Sequence, residues 1–424
     1  MELLDESNIG RVPQLIPLRY QRMSESELAF LRGSPGVMIA DLATTAVTGI
    51  QTQLCGDCHL SNFGWFGTPE RNLIFDVTDF DETRSGPWEW DVKRLATSFA
   101  VAARAKRASR EDQAKIARDL AEAYRTRIAK FSRLSEMELW YERLDSNRLI
   151  ATARSDSEKK ELQEIARRAE KLTVTNQMDN LITGSDGSMR IADKPLAGVP
   201  ASEPLVTFHT TADFDCSIFS GLNGEAPELM RLLHEYRKTL SDDRRALLDR
   251  FRVHDTAFKA VGVGSVGMRC GLMLLADSDG HCLLLQLKEA RASLLDPFLP
   301  QAAFATHHGR RVVDGQRLMQ AASDLFLGWT KDDSGRDYYV RQLRDMKTSM
   351  NVDKLTHSDL RDYADLCGWA LARAHAKAGN GAVIAGYLGE DDDNFDRALG
   401  DFAVAYADQV ALDYARFKDA MKSR

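Results

Sequence analysis

Long apolar runs are missing from this 424-residue sequence. None approaches the roughly eighteen residues that a membrane-spanning helix requires, so no membrane partner is expected. Cysteine is sparse: Cys55, Cys58, Cys216, Cys270, Cys282 and Cys367 are scattered along the chain, which excludes a disulfide scaffold and fits a reducing compartment. Only Cys55 and Cys58 form a Cys-x-x-Cys pair, and no second pair completes a zinc site, although His59 beside them keeps a metal alternative open. The opening residues, Met1 to Ser7, are acidic and lack the basic start and apolar core of a secretion signal, so the expected location is the cytoplasm. Positive charge is in deficit too. A formal net charge of −7 argues against a dedicated nucleic-acid binder. No internal repeat or low-complexity tract is evident. What remains is an ordinary globular composition, 44% hydrophobic and 28% charged, in a chain long enough for two lobes with sizeable cores.

The most informative stretch is Cys55-Gly56-Asp57-Cys58-His59-Leu60-Ser61-Asn62, followed by Val77-Thr78-Asp79-Phe80-Asp81 and then Gly86-Pro87-Trp88-Glu89-Trp90-Asp91. A carboxylate, an Asn five residues later and an acidic cluster beyond the apolar run Leu73-Ile74-Phe75 make up a set suited to phosphoryl transfer. One carboxylate orients or deprotonates an attacking hydroxyl, and the Asn with a later Asp holds Mg²⁺ on nucleotide phosphates. Asp57 is the candidate base, with His59 as its catalytic neighbour. Asn62 and Asp79 are the candidate Mg²⁺ ligands, and Asp81 is a second metal candidate. A solvated acidic loop is the plainer alternative, because Asp-rich turns are common. Asp91 is expected to cap a helix on which Val92, Leu95, Ala96 and Phe99 follow at helical spacing.

Far downstream, Gly262-Val263-Gly264-Ser265-Val266-Gly267 forms a G-x-G-x-x-G. A dinucleotide-binding fingerprint would open a helix here. Instead Met268 to Leu275, the turn Asp277-Ser278-Asp279-Gly280 and His281 to Leu287 read as strand, turn, strand, ending at Lys288. A Gly-rich hairpin over phosphates, followed by a strand-borne Lys, suits ATP: Gly262, Gly264, Ser265 and Gly267 allow close backbone approach, and Lys288 reaches the phosphates. An ordinary hairpin with a surface Lys is the alternative. Residues 309–322 are predicted as a helix behind the Lys, on which Asp314 is the favoured ion-pair partner of Lys288; Glu289 should face the other side of the strand. Asp337 to Leu343 reads as a strand leading to a hinge. Tyr363 to Lys377 and 109–131, which starts at Ser109 and Asp112, read as helices, as does the stretch carrying Phe395, Leu399, Phe402, Tyr406, Val410, Tyr414 and Phe417. Residues 184–188 have turn chemistry, and 195–204 looks like a connector. Arg19, Arg22 and Arg32 precede the catalytic stretch; such arginines are either structural or suited to bidentate phosphate or carboxylate recognition.

The first motif resembles the H-G-D-x-H-x-x-N catalytic loop and I-D-F/W metal motif of the aminoglycoside and choline kinase-like enzymes. Asp57, His59 and Asn62 match one for one, whereas Cys55 stands where those enzymes carry His. Cys55 is therefore expected to pack inward and do no chemistry. Gly86-Pro87 to Asp91 resembles their G-D-P-x-x-D-L-A segment. In an ordinary kinase the Gly-rich loop comes first; here it follows the catalytic loop by about two hundred residues. Read from residue 258 to the end and then from the start, the chain follows the kinase order, with Leu371 to Ala376 resembling the helix before the catalytic loop. The resemblance implies an α+β, two-lobed, protein-kinase-like fold, circularly permuted, with a helix-rich large lobe and an antiparallel-sheet nucleotide lobe. The expected boundaries are 1–180 for the catalytic part of the large lobe, 181–254 for a connector, 255–345 for the nucleotide lobe and 346–424 for the remaining helices. The implied activity is ATP- and Mg²⁺-dependent phosphoryl transfer to a hydroxyl of a small molecule. Nucleotidyl transfer, ATP-dependent ligation and a non-catalytic nucleotide-binding regulator are the alternatives. Taken whole, the chain also resembles a bacterial family known only as a domain of unknown function, through Arg19-Tyr20, Arg22-Met23, Asp79-Phe80-Asp81-Glu82, Gly315-Gln316-Arg317 and Ala374-His375-Ala376.

Overall fold

The computed structural model describes residues 1–152, 181–184, 189–192, 206–208, 227–260, 262–299, 305–343, 348, 350–390 and 392–422, with positions 160, 163, 164, 166 and 167. Residues 185–188 of the turn expected at 184–188, the connector at 195–204 and Cys216 lie outside the described residues.

Four short helices open the chain: α1 (Glu2–Glu6), α2 (Ile16–Met23), α3 (Glu27–Gly33) and α4 (Pro35–Ala43). Strand β1 (Gln51–Leu54), the hairpin β2 (Phe63–Gly67) and β3 (Leu73–Val77), and β4 (Arg84–Pro87) follow, with β4 pairing back on β1. Next come α5 (Trp88–Ala105), α6 (Arg110–Phe131), α7 (Glu136–Tyr141), β5 (Leu144–Asp145) on the edge of β3, and α8 (Ser146–Thr152). Between 181 and 254 lie the small hairpin β6 (Ile182–Thr183) and β7 (Arg190–Ile191), strand β8 (Val206–Phe208), α9 (Pro227–Lys238) and α10 (Asp242–Leu248). β9 (Arg252–Ala260), β10 (Cys270–Ala276) and β11 (Cys282–Ala290) make an antiparallel meander. After α11 (His308–Met319), strands β12 (Gly328–Lys331) and β13 (Asp337–Gln342) complete a sheet of order β12-β13-β11-β10-β9-β8. α12 (His357–Ala378), α13 (Gly381–Leu388) and α14 (Asn394–Lys422) end the described chain.

Helix accounts for 54% and strand for 17%, with antiparallel pairing, so the protein is α+β. No described helix is long and apolar enough to cross a membrane.

β10 shows why its sequence, Cys-Gly-Leu-Met-Leu-Leu-Ala, lacks alternation: all seven residues are buried. Met273 and Leu275 pack with Leu232 and Tyr236 of α9 and with Val12 and Leu15 from the N-terminus, while Leu272 and Leu274 pack with Leu181 and Ile191 beside the small hairpin. A strand covered on both faces reads as a continuous apolar run. The segment 181–254 therefore adds a strand and two helices to this sheet rather than only joining its neighbours.

The larger core lies among α5, α6, α12 and α14 with β2 and β3. Both chain ends contribute, since Phe417 of α14 meets Tyr20 and Phe30 with ring centroids 5.8 Å and 5.3 Å away. Two joints tie α12 to the N-terminal strands. Arg373 forms a buried ion pair of 2.7 Å with Asp76 of β3. At the C-terminal end of α12, Thr52 of β1 donates to the His375 carbonyl at 3.4 Å, and a Cβ on Gly379 would meet the Thr52 hydroxyl at 2.3 Å. The last turn of α12 thus abuts the strand that enters the 55–62 loop.

Candidate active site

The 55–62 loop is held from behind by α5. Asp91 accepts hydrogen bonds from the backbone N–H groups of Cys55 (2.8 Å) and Gly56 (3.0 Å), and its carboxylate lies 3.3 Å from His375 Nε2. Gly56 has φ +87°, and a Cβ there would sit 2.4 Å from the Glu82 carbonyl, so the turn requires glycine. Asp91 is accordingly not the expected helix cap. α5 starts at Trp88 behind Pro87, whose φ of −62° suits a helix start, and this places Asp91 inside the first turn, facing the loop. Arg94, one turn further on, reaches the same loop and pairs with Asp57 at 2.6 Å through Nε and 2.5 Å through a terminal nitrogen.

Burial pushes the Asp57 carboxyl above its usual range despite the opposing pull of Arg94. The side chain keeps 21% exposure, toward the cleft. His59 Nε2 lies 3.8 Å from Asp57 Oδ2, and its Nδ1 accepts from the Ser61 N–H at 3.2 Å. Burial, reinforced by Arg32 and Arg94, holds this imidazole well below its ordinary value, so it is neutral. Asn62 donates to the Asp57 carbonyl at 2.8 Å, and Thr78 N–H returns to the Asn62 carbonyl at 2.8 Å, which couples the 55–62 loop to the acidic cluster.

Asp81 accepts from Lys288 Nζ at 2.6 Å and from the Tyr339 hydroxyl at 2.7 Å. Burial raises the Asp81 carboxyl, but Lys288 and these hydrogen bonds outweigh it and leave a net lowering. Asp79 Oδ2 is 3.9 Å from the same Nζ, and its side chain is 32% exposed. Burial alone would depress Lys288; Asp79 and Asp81 reverse this and hold the ammonium well above its ordinary value. The Asp314 expectation is wrong. That residue pairs with Arg310 at 3.1 Å on the exposed side of α11. The inward face of α11 instead carries Arg311, which donates to the carbonyls of Asp81 (2.8 Å) and Thr83 (2.6 Å). Glu289 turns to Arg269 and Arg291, as strand alternation requires.

The Gly-rich stretch forms the turn between β9 and β10, with φ +64° at Gly262 and +86° at Gly267. It rests on the N-terminal segment: Arg22 donates to the Gly262 carbonyl (2.7 Å), Arg11 to that of Val266 (2.5 Å) and Val12 N–H to that of Gly267 (2.8 Å). A cleft of about 160 Å³ is lined by Asp57, His59, Asn62, Asp79, Asp81, Gly262, Gly264 and Ser265. Gly267 sits at the base of the turn and Lys288 behind Asp81, both outside that lining. The sequence reading missed Arg94, Tyr339 and Glu82. Arg94 had a signal, since it lies three residues after Asp91 and hence on the same helical face.

Cys55 and Cys58 are both buried, and burial drives their thiols up, Cys58 to about 11. Their sulfurs and an Asp91 oxygen lie within 4.8 Å of one another, and among the described residues His59 does not join this group. Asp91 already accepts two backbone N–H groups. Three ligands with neutral thiols fall short of the four-ligand set of a structural zinc site. Cys55→Ser should therefore retain most activity, and a zinc-selective chelator that spares Mg²⁺ should leave turnover unchanged; stoichiometric zinc in the purified protein would contradict this.

Glu82 is raised from 4.5 to about 7 by burial, against the pull of Arg311. A carboxyl raised in the folded state favours the protonated fold, so its contribution is fully present below about pH 4.5 and is lost as pH rises through about 7. Glu82→Gln should flatten that loss. Urea midpoints measured across this window would test it, and identical slopes in the two proteins would be the contrary result.

The site is thus a cleft lined by both carboxylates and arginines, between a helix-held loop and a lysine-bearing antiparallel sheet. Residues 11–420 match the model of a family described as an uncharacterized protein conserved in bacteria (DUF2252), and the chain belongs to that family. No curated protein and no solved structure matches it.

Proposed function

We propose that the chain is an ATP- and Mg²⁺-dependent phosphotransferase acting on a hydroxyl of a small molecule, built on a two-lobed, circularly permuted kinase-like fold. The observation that carries this reading is the position of Lys288. It stands on the third strand of a meander whose first turn is Gly-rich, with Nζ 2.6 Å from Asp81 and 3.9 Å from Asp79, beside the cleft that Asp57 and Asn62 also line. The permuted order is supported by α12, which ends against β1 just ahead of the catalytic loop.

The donor set fits the cofactor. Asn62, Asp79 and Asp81 offer an amide and two carboxylates, all oxygen donors suited to a hard cation. Bound Mg²⁺ would neutralise phosphate charge. Asp57 would accept the proton of the attacking hydroxyl, its raised carboxyl being a better base at neutral pH than an ordinary aspartate. Lys288 would hold phosphate oxygens once a nucleotide competes with Asp81 for it. At about 160 Å³ the cleft is smaller than the ~300–1,000 Å³ of typical small-molecule sites, so nucleotide entry would require it to widen.

Calorimetric titration with Mg·ATP tests the reading. The wild type should bind, while Lys288→Met and Asp79→Asn should each lose about tenfold or more in affinity, ~1.4 kcal/mol. Equal affinity in all three would count against it.

A further inference from the structure

Among the described residues, one cation in the cleft has no hydrogen-bond partner. Arg11, Arg19 and Arg291 all donate to backbone carbonyls or to neighbouring side chains. Among the described residues Arg32 makes no hydrogen bond, and its Nε is fully buried. It is not remote from the chemistry. Arg32 lines the cleft and feels the charges of Asp57 and Asp79, and its carbonyl lies 3.2 Å from where a Cβ on Gly264 would be. It therefore stands between the catalytic loop and the Gly-rich turn.

The helix that follows, α4, begins at the same place. The Ser34 hydroxyl donates to the Phe30 carbonyl at 2.6 Å instead of capping α4, and Pro35 at the first position carries no N–H. Beside Gly36 there is open space, with nothing within 4 Å of a built Cβ. Its N–H has no acceptor within the helix, and the helix dipole is positive there.

We infer that the N-terminal wall of the cleft is an oxyanion subsite, built from the Arg32 guanidinium and the open N-terminus of α4, for a phosphate or carboxylate group. The Arg32 Nε is buried without an acceptor, and its terminal nitrogens make no hydrogen bond to the described residues, which leaves the fork free for a ligand. The planar fork matches a two-oxygen anion, and the Gly36 N–H supplies a further donor, since Pro35 has none and the Val37 N–H is taken by the Ser34 carbonyl at 3.1 Å. The inference rests on reading this cleft as a phosphoryl-transfer site, and it narrows the substrate. The anion is either the terminal phosphate of the nucleotide or an anionic group on the acceptor.

The full-length protein should be titrated with inorganic phosphate, free of nucleotide and Mg²⁺. Wild type should bind. Arg32→Gln should weaken binding about tenfold or more, Arg32→Lys should fall between because it keeps the charge but loses the fork, and Arg310→Gln, an exposed arginine outside the cleft lining, should change it less than about twofold. No binding by wild type, equal affinity in Arg32→Gln, or equal weakening in Arg310→Gln would overturn the subsite. Because Arg32 makes no hydrogen bond, its variants should fold, which circular dichroism checks. Repeating the titration with saturating Mg·ATP separates the sources: displacement of phosphate assigns the subsite to the nucleotide, and simultaneous binding assigns it to the acceptor. Arg32-dependent phosphate binding in a protein that does not bind ATP would sink the phosphotransferase reading and leave the subsite standing.

Discussion

Asp57→Asn should lower turnover by about 10²–10⁴-fold while leaving Mg·ATP affinity nearly unchanged. General-base catalysis typically contributes that factor, and a base acts on the transition state more than on bound substrate. Asn is the right replacement because Arg94 is 2% exposed and pairs with Asp57. Ala would strand that guanidinium, at a cost of about 3–5 kcal/mol, and would confuse lost chemistry with lost folding. Asn keeps an acceptor for Arg94 and cannot take the proton. The check is kcat beside a calorimetric Kd. A folded Asp57→Asn protein that no longer binds ATP, or one that turns over normally, would remove Asp57 from the role of base.

Asp76→Ala should destabilise the fold by about 3–5 kcal/mol, the usual consequence of removing one partner of a buried ion pair. Asp76 and Arg373 are 1% and 0% exposed, and Asp76 also accepts the N–H groups of Val77 and Ala321 at 2.9 Å each. The pair joins β3 to α12 across almost three hundred residues of chain, so its loss should loosen the seam between the first and last parts of the sequence. The urea midpoint should fall with little change in m-value. Asp76→Leu combined with Arg373→Met should recover part of the loss, because two apolar side chains leave no uncompensated charge. A shift in Asp76→Ala of under about 1 kcal/mol would show that the seam does not depend on this pair.

The helices were legible where periodicity was long. Residues 110–131 fold as expected behind Ser109, whose side chain accepts from Asp112 N–H, and α12 and α14 fall on the predicted stretches. The strand, turn, strand reading around the Gly-rich segment holds because alternation is not needed in a doubly covered sheet, and the turn glycines bracket it. Partners across the chain were not legible. That Lys288 would meet Asp81, and not an acid on α11, depends on how that helix rotates against the sheet, and local spacing does not encode that rotation. The helix start was misplaced by four residues, with Pro87 and not Asp91 at the cap position. The grip of Asp91 on the 55–62 loop appears only when Cys55 and Gly56 are brought beside it. Arg32 looked no different from Arg19 or Arg22 in the sequence. Only the hydrogen bonds those two make separate them from it.

The most direct measurement supplies ATP labelled on its γ-phosphate, with Mg²⁺ and a small-molecule extract, and separates the products. Phosphoryl transfer predicts ADP together with label on an extract component, both lost in Asp57→Asn. Release of AMP or pyrophosphate, or tight Mg·ATP binding with no labelled product from any extract, would contradict it.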